Sequence, residues 1–274
     1  MVKKKSEMGG NTSPFDALFS ETGLDPSEAV RKTARPDLPK RFWKIVSLDQ
    51  RDEGYFLLLD GRSARTPAGN PLYSVSESIA KTLQAEWADL EDIIDPERLP
   101  MTRLVNVARD TDPATRDDIL NSVRAYAETD LLCYRADGPQ RLAYRQNIVW
   151  TPYLDRLKTH HNIKLRLSSG IMPVAQDADQ LDAIRTLAAS RSCNMEVLIA
   201  LHLATSLLGS AVLALALTEP GEDQLRAKIV WQAANVDEDW NRAQWGEDEE
   251  SALRREARWR DFAAAAFVLS VSRC

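Results

Sequence analysis

Up to residue 37, short and irregularly placed apolar residues are mixed with Gly, Ser, Thr, Pro and charged residues. This stretch reads as a flexible leader in which Leu18, Phe19 and Leu24 could form a short docking turn. The pattern changes at Arg41. Phe42-Trp43-Lys44-Ile45-Val46 and Tyr55-Phe56-Leu57-Leu58-Leu59 are dense in aromatic, branched and aliphatic residues and read as two strands joined by a turn over residues 50–54. Asp60-Gly61 is a two-residue hairpin signal, because a type I′ turn needs positive φ and Gly supplies it with little steric strain. Residues 63–66 form the expected returning strand, ended by Pro67, Gly69 and Pro71. The period then lengthens to that of a helix. Ser74-Val75-Ser76-Glu77 fits a capping box with Ser74 as N-cap, and Ile79, Leu83, Glu86, Trp87 and Leu90 follow at helical spacing.

Beyond Asp112-Pro113, where Asp112 caps and Pro113 loses no hydrogen bond, the chain reads as helix after helix. Ile119, Val123 and Tyr126 share one face, and further helices are expected over residues 141–160, 178–190, 195–217, 223–244 and 249–270. Glu219-Pro220-Gly221 and Trp245-Gly246 separate the last of these. Strands followed by a run of helices predict an α+β fold: a small N-terminal antiparallel sheet plus helix domain over residues 38–112, then a C-terminal all-helical bundle domain over residues 113–274. Residues 197–217 are apolar over a length that could span a bilayer. Ser206, Gly209, Ser210 and His202 interrupt them, and Glu196 and Glu219 flank them without a basic anchor. A buried central bundle helix fits that pattern better than a membrane span.

The 274 residues are 44% hydrophobic and 28% charged, enough apolar material for a sizeable core, which excludes disorder of the whole chain. A net charge of −6 and a pI near 5.3 argue against a nucleic-acid partner. Lys3, Lys4 and Lys5 read as a solvated terminus. Cys133, Cys193 and Cys274 form no C-x-x-C unit, so a reducing compartment fits, with Cys133 and Cys193 read as small buried hydrophobes. The first twenty residues carry neither a signal-peptide core nor a basic transit pattern, and a bacterial cytoplasm is the expected location, ahead of a mitochondrial matrix.

The usual phosphate-loop, dinucleotide, zinc-protease and nucleophile-elbow motifs are missing from the sequence. His160 and His161 are adjacent and so point about 100° apart on a helix, which suits surface residues better than metal ligands. His202, inside the apolar helix, reads as a satisfied core histidine. No cofactor or metal is expected. The sharpest chemical feature is acidic: Asp237, Glu238, Asp239, Glu247, Asp248, Glu249 and Glu250 place seven carboxylates in fourteen residues, interleaved with Trp240 and Trp245. Two readings stay open. The acids are solvated helix ends, with Glu238 and Arg242 as an i,i+4 pair and residues 247–250 on a helix start. Alternatively they form a recognition surface, with aromatic contact area and charge that steers a basic partner.

Arg41-Phe42-Trp43-Lys44, Asp60-Gly61-Arg62 with Thr66-Pro67, Glu86-Trp87, and Pro100-Met101-Thr102 with Leu104 appear in order. Thr129-Asp130 with Leu132 and Tyr134 follows, then Gln146, Trp150 and Pro152, Asp237-Glu238, and Trp245-Gly246 with Asp248-Glu249. Together they resemble the Atp-twelve family of ATP synthase assembly chaperones. The resemblance implies an α+β domain followed by a helical domain. It also implies a protein, monomeric when unbound, that binds the free alpha subunit of F-type ATP synthase without catalysis or stable membrane insertion. The family's important acid in the penultimate helix maps onto Glu238, with Asp237 beside it; this chain carries Trp240 and Asn241 where relatives often have tyrosine and glutamine. The candidate partner-binding residues are therefore Glu238, Asp237, Trp240, Trp245 and Glu249. The alternatives are a carboxylate-using enzyme with an interdomain cleft and a membrane-tethered helical protein.

Overall fold

The computed structural model describes residues 38–170, 172–219 and 223–272. The 1–37 leader with its docking turn, the amino-terminal lysines and Cys274 lie outside these residues. Strands β1 (Val46–Arg51) and β2 (Gly54–Leu59) pair antiparallel, with Val46 opposite Leu59 and Arg51 opposite Gly54. Asp60 and Gly61, at φ 48° and 78°, make the expected tight turn into β3 (Arg62–Ser63). β4 (Tyr73–Ser74) joins the same side of β2 further along.

The first strand starts where the sequence reading ends it. Residues 42–45 are held outside the ladder, because the Asp60 carboxylate accepts the backbone N–H groups of Lys44 (3.0 Å) and Ile45 (2.8 Å). Trp43 turns inward against Trp87, leaving Phe42 and Ile45 exposed. The aromatic run there anchors the sheet rather than extending it. β3 is likewise shorter than expected, since residues 66–70 close a tight loop in which Thr66 N–H bonds Asn70 and Gly69 N–H bonds Thr66.

Helix α1 (Glu77–Ala88) covers the sheet with Ile79, Ala80 and Leu83. It begins two residues later than the capping box places it. Ser76 is the N-cap, while Ser74 sits in β4 and donates its hydroxyl to the Glu196 carboxylate at 2.7 Å. No element is expected between Leu90 and Asp112, yet α2 (Pro100–Asp110) forms and buries Met101, Leu104, Val105 and Ala108. Asp112 then caps a short 3₁₀ turn, and α3 (Arg116–Glu128) follows.

The rest is helical apart from a two-residue parallel pair, β5 (Tyr134–Arg135) with β6 (Ser168–Ser169). α4 (Gln140–His161) and α5 (Ala178–Ser190) lie close to their expected bounds. The apolar stretch forms α6 (Met195–Leu208) and α7 (Ala211–Ala216) rather than one helix. Gly209 adopts the left-handed conformation at φ 62°, and the Ser210 hydroxyl accepts the Leu213 N–H to start the next helix. Every residue from Glu196 to Thr205 is buried, because α2, α3, α7 and the last helix, α10 (Glu249–Val271), surround α6. That enclosure explains a helix without a polar face. No helix among the described residues is long and apolar enough to cross a membrane. α8 (Asp223–Ala234) and α9 (Val236–Trp245) complete the chain order before α10, dividing at Asn235, whose side-chain amide folds back onto the Trp231 carbonyl at 2.7 Å. The architecture is α+β, a small antiparallel sheet with its covering helix followed by a helical bundle.

Candidate partner-binding site

The acidic segment spans α9, a glycine turn and the start of α10. Gly246, at φ 83°, ends α9, and Asp248 caps α10 by accepting the Ser251 N–H at 2.9 Å. That hydrogen bond, with a second from the Ser251 hydroxyl, holds the Asp248 carboxyl below its ordinary range. Here the helix-end reading of the acids is correct.

The five candidates do not form one cluster. Asp237 points to α4, where its carboxylate accepts the Gln146 side-chain amide at 2.7 Å. Gln146 is itself buried and uses its carbonyl oxygen on the Ala136 N–H, so Asp237 is tied into the frame. Glu238 faces α10 and pairs with Arg258 (2.6 Å) and Arg255 (3.1 Å). Its partial burial works to raise its pKa, but the hydrogen bonds and charges of Arg258 and Arg255 outweigh it and hold the carboxyl below its usual value. The expected Glu238–Arg242 pair does not form. Arg242 instead reaches Asp239 (3.2 Å) and Glu247 (3.1 Å), because α10 brings two arginines to Glu238 that the local spacing does not reveal. Trp240 is half-buried, Trp245 is 86% exposed, and Glu249 is exposed. A residue outside the candidate set belongs with the last two by position and exposure: Leu253, 60% exposed on the first turns of α10. Its signal in the sequence is a lone large apolar side chain inside a charged run.

Other buried acids join separate segments of the chain. Glu86 accepts the backbone N–H groups of Met101 (2.6 Å) and Thr102 (2.8 Å) and the Thr102 hydroxyl (2.7 Å), so α1 caps the start of α2. The Trp87 indole N–H donates to the same hydroxyl at 2.9 Å. Burial raises the Glu86 carboxyl against the pull of these donors. Asp130 accepts from Leu132 N–H, the Ser210 hydroxyl and Val212 N–H, joining a 3₁₀ turn to the start of α7. Glu196, on α6, accepts from Ser74 and pairs with Arg109 at 2.9 Å, while the Arg109 guanidinium lies over the Tyr73 ring. Each of these carboxylates is occupied by neighbouring donors.

His202 is buried, with Nε2 2.9 Å from the Ser122 hydroxyl, as a core histidine should be. His160 is exposed and His161 half-buried 3.8 Å from Glu219 at the end of α4. No group of His, Cys, Asp or Glu among the described residues is arranged to hold a metal. Cys133 is free and buried, and burial pushes its thiol up to about 12. Cys193 departs from the reading as a buried hydrophobe and from the reducing compartment read from the cysteines: it is exposed in the turn between α5 and α6 and is disulfide-bonded. Its apolar sequence neighbours belong to the following helix.

The family model described as ATP12 chaperone protein matches residues 40–158. The chain is similar to Atp12 from Paracoccus denitrificans, with 32% identity and a TM-score of 0.75 over 85% of this chain and 98% of that one. It is also similar to a chaperone candidate from Agrobacterium tumefaciens, with 36% identity and a TM-score of 0.78 over 94% of this chain and 95% of that one.

Proposed function

This chain belongs to the ATP12 chaperone protein family, and we propose that the client it holds is the unassembled alpha subunit of F-type ATP synthase. An unassembled ring subunit exposes apolar surface that its neighbours later cover, and patches above a few hundred Å² are aggregation hazards. A chaperone that covers such a patch reversibly needs no fuel. The final interface displaces it by mass action when both compete for one surface. No covalent bond is made or broken, and the proposed setting is a bacterial cytoplasm with the free chaperone monomeric.

The observation that carries the contact surface is Trp245, 86% exposed beside four consecutive acids. Tryptophan offers a large, rigid contact area and is over-represented among interface hot spots. The acids around it favour a basic, partly apolar client segment. Asp237, Glu238 and Trp240 then set the geometry of this surface from behind, with Glu238 partly accessible, while Trp245 and Glu249 touch the client. Charge reversal at Glu238 does not isolate binding, because it would place a third cation against Arg255 and Arg258. The cleaner test is capture of purified free alpha subunit by wild type and by Trp245→Ala with Glu249→Lys. The double variant is expected to bind about tenfold more weakly or worse, the loss of a single hot spot, with an unchanged unfolding curve. Capture within twofold of wild type would refute this placement, and a wild-type protein that ignores free alpha subunit would refute the client.

A further inference from the structure

Strand β1 is the edge of its sheet, and the hydrogen-bond phase of the hairpin fixes which backbone groups it leaves outward. The Asp60 N–H bonds the Ile45 carbonyl at 2.9 Å, so in this register Ser47, Asp49 and Arg51 exchange bonds with Leu58, Phe56 and Gly54. Val46, Leu48 and Gln50 therefore direct their N–H and C=O groups away from β2. Two contacts agree with that phase: the Gln84 side-chain amide donates to the Val46 carbonyl at 3.0 Å, and the Leu57 N–H, opposite Leu48, turns to Leu72 at 3.0 Å. Beyond Val46 the edge is open among the described residues. The outward groups of Leu48 and Gln50 have no partner among the described residues.

Natural edges are usually blunted by charge, proline or cover. Here the segment leading into the edge exposes Phe42 at 75% and Ile45 at 66%, with exposed Lys40 and Lys44 spaced around Phe42. The free groups and the flanking chemistry specify one occupant. Unpaired backbone N–H and C=O groups are complemented by another extended backbone. Exposed apolar side chains ask for apolar ones, and the two lysines ask for carboxylates. We propose that β1 is a second client site, which captures an extended acidic and apolar polypeptide segment by strand addition. The inference rests on the client-holding reading for the source of that segment, but not for its chemistry.

The test uses the full chain and two probes: a synthetic peptide alternating valine and isoleucine with glutamate, and purified free alpha subunit. Amide hydrogen exchange is read residue by residue. Addition of the peptide is expected to protect the Leu48 and Gln50 amides, with little change at Ser47 and Asp49, which already bond β2. Gln50→Pro removes an outward N–H without touching the ladder, a substitution that edge strands tolerate, and it should weaken peptide binding at least tenfold. Phe42→Asp, at an exposed position, should do the same by removing apolar contact and repelling the carboxylates. Absence of protection with the peptide, or either variant binding within twofold of wild type, overturns the proposal. So does protection of Leu48 and Gln50 in the protein alone: a dependence on protein concentration would assign the edge to a second copy, and none would assign it to the chain itself. Binding of the peptide but not of alpha subunit would keep the strand-addition site and reject the client named above.

Discussion

Asp130 is fully buried, yet it must hold a charge above mid-acidic pH, and replacing it by Asn separates charge from shape. Burial raises its carboxyl from the ordinary 3.8 to about 6, against the lowering pull of the Leu132 N–H, the Ser210 hydroxyl and the Val212 N–H. The folded state thus binds the proton more tightly than the unfolded chain does. Stability from this group is greatest below about pH 4 and falls as pH rises through about 6, by about 3 kcal/mol in all at 1.36 kcal/mol per unit. Asn cannot titrate, so that slope disappears in Asp130→Asn. The amide keeps an oxygen for Leu132 and Ser210 but turns an N–H toward the Val212 N–H, which costs about 1–3 kcal/mol. The variant should therefore be less stable than wild type at pH 4 and close to parity by pH 8. Urea unfolding followed by tryptophan fluorescence at pH 4, 5, 6, 7 and 8 reads the gap, provided the m-values agree. A gap that stays constant across this range would show that Asp130 does not titrate there, and the account of its burial would fail.

Two further perturbations address the joints between the sheet and the bundle. Glu196→Ala leaves the part-buried Arg109 guanidinium without its carboxylate and the Ser74 hydroxyl without its acceptor, so it should cost about 3 kcal/mol in urea unfolding; Glu77→Ala, which breaks the exposed pair with Lys81, should cost well under about 1 kcal/mol. Glu86→Ala removes a carboxylate cap from α2 and should cost about 1–2 kcal/mol, with the loss of amide protection concentrated at Met101 and Thr102; unchanged exchange at those two amides would contradict the cap.

How much of this was legible in the sequence depends on how far away the deciding partner sits. α5 falls on its expected residues and α10 within one residue of them, because apolar spacing and the flanking breaks act within a few positions. The turn at Asp60-Gly61 was legible for the same reason. The start of β1 was not, since Lys44 and Ile45 are diverted by Asp60, fifteen or more residues on. The start of α1 was misplaced because Ser74 answers to Glu196, 122 residues away. α2 was legible in part, since Met101, Leu104, Val105 and Ala108 stand at helical spacing, but its cap comes from Glu86 rather than from a neighbouring Ser or Asp, so no local start signal marks it. At the candidate site, exposure of Trp245 and Glu249 agrees with a surface role, but the ion pairs of Glu238 lie 17 and 20 positions along the chain, where no i,i+4 rule reaches.

Many of the residues that carried the family resemblance, though not the exposed Phe42, Trp245 and Glu249, share a physical property that separates recognising this fold from locating its contacts. Trp43 fills the space against Trp87; Asp60 fixes the entry to β1; Glu86 and Thr102 close on each other; Asp130 starts α7; Gln146 holds Asp237; and the Trp150 indole N–H donates to the Ala233 carbonyl at 2.7 Å. All are polar or aromatic tie points between segments distant in sequence. Such groups tolerate few replacements, because a buried donor or acceptor left unpaired costs about 1–3 kcal/mol. A motif assembled from them therefore reports the frame. Asp237 is the case where the two uses collide: its carboxylate is committed to Gln146, so altering it would disturb the α4–α9 contact before it tested any partner. Surfaces free of such duties, Trp245 with Glu249 at one place and the outward edge of β1 at another, are the proposed client sites, where substitutions test binding with least disturbance of the fold.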